Sequence, residues 1–248
     1  MTVKRLIKPF FLSIFSVKAI AGGMYDDTAI GWTKVITLSG GPAWSRAGET
    51  QTLYLNSVLS NRYNAQKDTR LMGTGEIFFA LQGPFAPGIL GQLGIAAGGT
   101  GEAKMQGTID VNFIPSGSRY EYRTNHWNAS IRGKLLTDPR IFFIQPYITA
   151  AIGAAFNYAY GFRTIPLISP LTSSQWFDSN TKVGFTYSIG GGIQTSFNDH
   201  WQVGVGYEFS DWGKSELGRA LTIPWTHTGP QLDHIYAHNV LFSLSYLC

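Results

Sequence analysis

Residues 181–213, TKVGFTYSIGGGIQTSFNDHWQVGVGYEFSDWG, decide the fold. Val183, Phe185, Tyr187, Ile189, Ile193 and Phe197 fall on alternate positions, interrupted by Gly191 and Thr195. Gly184, Thr186, Ser188, Gly190, Gly192, Gln194 and Ser196 lie between them. After Asn198, Asp199 and His200 the alternation resumes. Trp201, Val203, Val205, Tyr207 and Phe209 now alternate with Gln202, Gly204, Gly206 and Glu208. A period of two residues is that of a β-strand, so this is a hairpin with one apolar face and one small or polar face. The fold class depends on whether the apolar face looks inward at a core or outward at lipid.

The same alternation recurs along the chain. Apolar residues alternate with small or polar ones over 33–44, 70–82, 89–98, 120–136, 145–160 and 237–248, which with the hairpin makes eight strands. Long connections (45–69, 99–119, 161–181, 214–236) alternate with short ones (83–88, 137–143, 198–200). This places all long loops at one end of an up-and-down barrel, the asymmetry of outer-membrane barrels. TIDVNFI (108–114) and TLYLNSVL (52–59) also alternate in part. They either lengthen hairpins beyond the membrane or add a pair to make ten strands.

Three features favour an outward apolar face. The opposite face is glycine- and serine-rich and poor in the charges that keep a water-facing surface soluble. Aromatics gather near strand ends (Trp44, Trp127, Tyr158, Tyr160, Trp201, Tyr207, Phe209, Trp212 and Tyr246), as in interfacial girdles. The chain also ends on a strand, which suits a barrel that must pair every backbone group in lipid. The expected architecture is therefore an all-β, transmembrane, up-and-down antiparallel barrel.

Composition agrees. Charged residues are 14% of the 248 positions and glycines number 29, against about 25% charged residues in an ordinary soluble domain. The formal net charge of +4 comes from Lys4, Arg5, Lys8 and Lys18 in an acid-free start, and the rest is balanced at 15 basic and 15 acidic residues. That balance argues against a nucleic-acid surface. MTVKRLIK followed by PFFLSIFSV and Ala19-Ile20-Ala21 has the basic, apolar and small-residue parts of an export signal. Residues 1–21 are expected to be a signal peptide and 22–248 the barrel. The one cysteine, Cys248, forms no internal disulfide.

FNDHWQVGVGYEFSDWGKSELG (197–218), QPYITAAIGAAFNYA (145–159) and HNVLFSLSYLC (238–248) resemble the opacity-protein-like outer-membrane barrels. These are related in architecture to the transmembrane domain of outer membrane protein A. The resemblance implies a surface protein of the outer membrane. Its expected partners are outer-membrane lipid and lipopolysaccharide, periplasmic chaperones and the barrel-assembly machinery, and a host surface ligand. It also implies that the last strand is an assembly signal, here carried by Tyr246 and Cys248. Cys248 departs from the family's usual terminal phenylalanine.

Glu76, Arg132, Lys134 and Glu208 are expected to point into the lumen, either as a salt-bridged plug or as the lining of a gated pore. His126, Asn128 and Ser130 share one strand face, which raises a lipid-modifying hydrolase as a third reading. A serine nucleophile needs an activating base within hydrogen-bond reach, and no oriented third partner is evident. GGTGEAKMQG (98–107) lacks the lysine-serine/threonine ending of a phosphate loop and reads as a loop. His227, His234 and His238 cluster without metal-ligand spacing. The sequence therefore points to no cofactor, no metal and no enzymatic activity. The expected role is adhesion, host contact or envelope integrity, with a narrow channel for small or apolar solutes as the alternative.

Overall fold

The computed structural model describes residues 31–54, 60–111, 114–140, 143–168, 176–221, 226 and 228–248. The expected signal peptide lies outside these residues. Thirteen strands are present among them: β1 (Thr33–Arg46), β2 (Gln51–Tyr54), β3 (Ser60–Ala65), β4 (Thr69–Ala86), β5 (Ile89–Thr100), β6 (Ala103–Val111), β7 (Ile114–Thr137), β8 (Gln145–Pro166), β9 (Asn180–Ser196), β10 (Trp201–Asp211), β11 (Ser215–Glu216), β12 (Gln231–Leu232) and β13 (Tyr236–Leu247).

Eight of them close a ring. β1, β4, β5, β7, β8, β9, β10 and β13 pair in that order, and β13 returns to β1. Every pairing is antiparallel. Closure leaves no sheet edge in the ring, the condition for a strand structure in lipid. The eight alternating segments of the sequence are the eight staves, and the ten-stranded alternative falls away. TIDVNFI lies largely in β6, which pairs with β3 and with the first half of β7. It lengthens a hairpin and does not enter the ring.

The hairpin of 181–213 answers its question in β9 and β10. Phe185 is 65% exposed and Thr186 only 3%. Ile189, Ile193, Val203 and Val205 are also exposed, whereas Gln194, Gln202 and Glu208 are buried. Leu38, Phe79, Ile95, Ile131, Ile152 and Phe242 extend the exposed apolar belt around the other staves. A soluble barrel would have the opposite polarity, so this is a transmembrane barrel.

The long connections are mostly sheet. β7 has 24 residues and β8 has 22, whereas about 9–11 cross a bilayer. The surplus stands above the belt. There β2, β3, β6, the first half of β7 and the end of β8 form one continuous sheet. GGTGEAKMQG is accordingly not a loop: only Gly101 and Glu102 separate β5 from β6. The physical reason is β7, whose single long edge pairs first with β6 and then with β5.

Above the polar lumen lies an apolar roof. Tyr63, Met72, Met105, Tyr120, Tyr122, Phe162 and Phe177 pack there with Trp212, Leu217 and Ile235. Tyr63 meets Tyr120 edge-on at 5.5 Å, and Phe162 meets Phe177 at 4.8 Å. Trp212, expected in the interfacial girdle, instead belongs to this roof and is 5% exposed. Its position just past β10 lets the chain fold inward over the mouth, and Gly213 allows the turn with φ of 71°.

Candidate functional site

The lumen gathers the chain's buried charges. Inward positions on β4, β7 and β10 supply Glu76, Arg132 and Glu208, because all three lie on the face opposite the apolar belt. Arg132 Nη1 donates to Glu208 Oε2 at 2.6 Å, and Nη2 donates to Glu76 Oε2 at 2.8 Å. One guanidinium therefore bridges two carboxylates, one two strands away on β4 and the other three strands away on β10 in the opposite direction round the ring. Such a fork suits arginine and not lysine.

Lys134 lies two residues on and makes different contacts. Among the described residues it meets no carboxylate. Its ammonium donates to Gln194 Oε1 and sits 3.9 Å from the centre of the Tyr147 ring. The expected mutual neutralisation of four charges thus takes another form: three residues pair, and the fourth is held by an amide and an aromatic face. Gln194 Nε2 in turn donates to Gln145 and Gln202 at 3.1 and 2.8 Å.

The glycines of the opening stretch make room for this network. A Cβ at Gly206 would lie 2.2 Å from the Tyr147 hydroxyl, and one at Gly192 would lie 2.7 Å from it. Tyr147 therefore lies across a glycine floor, and its ring can meet Lys134 there. The inward glycine spacing is a packing requirement of a narrow barrel.

His126 Nδ1 pairs with Asn157 Oδ1 at 2.8 Å, and its ring stacks on Trp212 at 4.7 Å. Ser130 is four residues away along an extended strand, about 13 Å. That separation is too long for a base to activate a nucleophile, and both residues face the enclosed lumen. The face shared by His126, Asn128 and Ser130 is therefore not a catalytic arrangement. No group of three or more metal-ligating side chains occurs among the described residues.

Two cavities share Glu76 and Glu208 as lining. One of about 40 Å³ is lined by Glu76, Arg132, Lys134, Tyr147 and Glu208. The other, about 20 Å³, is lined by Glu76, His126, Asn128, Glu208 and Asn239. Each has room for water and none for a larger solute. His126 Nε2, Asn128 Oδ1 and Asn239 Oδ1 are buried without a protein partner, which suits ordered water. At the short-turn end Tyr246 pairs with Ile36 and packs on Trp201 at 4.9 Å. The amide of exposed Cys248 donates to Lys34 O at 2.9 Å.

Sequence reasoning missed the roof, and it reached the sheet around it only as the alternative that hairpins lengthen beyond the membrane. Alternation in TLYLNSVL and TIDVNFI was the available signal. The burial of Tyr63, Tyr120 and Phe162 against one another depends on tertiary contact alone.

No protein-family model and no curated protein matches the chain. Among solved structures it is similar to the outer membrane protein OprG from Pseudomonas aeruginosa, at 12% identity and a TM-score of 0.44, covering 86% of this chain and 95% of that one. It is also similar to the outer membrane protease OmpT from Escherichia coli, at 11% identity and a TM-score of 0.43, covering 91% and 99%. Neisserial surface protein A is similar at 8% identity and a TM-score of 0.41, covering 87% and 98%. At these identities and scores the likenesses carry nothing about function, and the fold rests on the chain's own closed ring with its apolar exterior.

Proposed function

We propose that this chain is an integral outer-membrane surface protein that uses a rigid extracellular β-platform for adhesion or host contact, with its barrel interior as a non-catalytic plug. The observation that carries the reading is apolar surface far above the belt. Ile114, Ile165, Leu167 and Ile168 are exposed at the top of the β7–β8 pair, and the Leu167 amide donates to Gly117 O at 3.0 Å, tying the segment to β7. Exposed apolar patches outside the membrane mark contact with another macromolecule.

The plug reading is supported by the Arg132 bridge below and the aromatic roof above. A narrow channel is the second reading, favoured by the two water-sized cavities that both touch Glu76 and Glu208.

The test replaces Ile165, Leu167 and Ile168 with aspartate in cells that display the protein. Attachment to host cells or extracellular matrix should fall at least tenfold, while the folded, heat-modifiable band on a gel is unchanged. Undiminished attachment would remove the platform reading.

A further inference from the structure

Between the aromatic roof and the Arg132 bridge, the cavity of about 20 Å³ is lined by Glu76, His126, Asn128, Glu208 and Asn239 and, among the described residues, by no lysine or arginine. The surrounding hydrogen bonds fix which atoms are acceptors. Asn157 Nδ2 donates to Trp212 O at 2.7 Å and to Lys214 O at 2.8 Å, so its Oδ1 accepts the proton of His126 Nδ1. In the neutral imidazole, Nε2 then carries a lone pair. Ser210 Oγ donates to Glu208 Oε1 at 3.3 Å and therefore accepts from Asn239 Nδ2 at 3.0 Å, which leaves Asn239 Oδ1 as an acceptor. His126 Nε2, Asn128 Oδ1 and Asn239 Oδ1 are buried without a protein partner. Glu76 gives one oxygen to Arg132, and among the described residues no hydrogen bond reaches its Oε1. Four acceptors thus belong to the lining of one water-sized cavity, and a single water offers only two hydrogens.

We propose that this cavity binds one ammonium ion, a water-sized cation with four N–H donors, as the counter-ion of the Arg132 bridge. Donor number, charge and size select it. Four donors match four acceptors. Two carboxylates against one guanidinium leave one negative charge, and Lys134 lines the other cavity and not this one. A volume of about 20 Å³ admits one occupant of water's size. A hard metal cation takes oxygen ligands throughout and would leave the imidazole unused. A transition ion would draw its ligands to about 2.0–2.2 Å, and the described residues hold no group of three or more metal-ligating side chains. The site depends on the enclosed lumen and not on the surface role, so either can fail without the other.

The test uses the full chain refolded in detergent with isotope-labelled ammonium chloride. Nitrogen-edited proton NMR should show one bound ammonium per chain, with cross-relaxation to the His126 and Trp212 rings. Potassium and sodium should displace it at least tenfold more weakly than unlabelled ammonium does. The unfolding midpoint should rise with ammonium and not with potassium at equal ionic strength. His126→Phe keeps a ring against Trp212 and removes the Nε2 acceptor. Glu76→Gln removes the surplus negative charge and keeps the Arg132–Glu208 pair. Each variant should weaken ammonium binding at least tenfold. The absence of a bound signal, which would leave water as the occupant, would overturn the proposal. So would equal displacement by potassium, or unchanged binding in either folded variant. Heat-modifiable migration separates a variant that has lost the site from one that has lost the barrel.

Discussion

At the scale of single residues, the two faces of each strand obey opposite rules. Ile131 lies midway between Trp127 and Leu135 on the outer face of β7 and is exposed. In water, a charge there would change stability by about ±0.5 kcal/mol. In lipid near the midplane, Ile131→Arg should cost about 2–4 kcal/mol. Reversible unfolding from lipid vesicles measures the difference, and a near-zero cost would contradict the outward orientation. One residue further along β7, Arg132 faces inward. Arg132→Ala leaves Glu76 and Glu208 buried, unpaired and close together, so unfolding in the same assay should ease by about 3–5 kcal/mol. Glu76→Gln leaves the Arg132–Glu208 pair intact and should cost less.

At the scale of elements, the roof has its own chemistry. Burial raises the Tyr120 phenol from its ordinary value to about 12. The Tyr63 and Tyr122 phenols are raised as well, chiefly by burial. For groups raised in this way, the folded state binds the proton more tightly than the unfolded state. Their stabilising contribution is complete below the unfolded value of about 10 and is lost as pH rises through the folded values. Tyrosinate absorbance should therefore show three phenols that ionise only above about pH 12, together with the opening of the roof. Early ionisation of all tyrosines near pH 10 would mean that β3, β6, β7 and β8 do not enclose them.

The whole molecule is a barrel blocked in layers. Its interior carries a small apolar cluster of Val35, Phe78, Ala80 and Ala96 on one wall, then the charged bridge, then the roof. Eight strands leave an interior just wide enough for side chains. Planar bilayers loaded with the purified protein should therefore show no discrete conductance steps at neutral pH. Regular steps would favour the channel reading, and their appearance in Arg132→Ala alone would identify the bridge as the block.

The sequence by itself determined the staves, their order and their polarity. A period of two residues needs no neighbour to be legible, and low charge with abundant glycine on one face marks an enclosed interior. It also brought Glu76, Arg132, Lys134 and Glu208 to one face. Only the tertiary structure decided that one arginine spans two glutamates while Lys134 turns to Gln194 and Tyr147, because partners on other strands of the ring are set by strand register and not by alternation. The same holds for the long connections. Residues 99–119 look like loop when glycine content is weighed alone, yet β6 finds its partner in the overhang of β7. Trp212 likewise looks interfacial by position and becomes core because the chain turns inward at Gly213. Alternation fixes which way a side chain points, and contact across the barrel fixes what it meets.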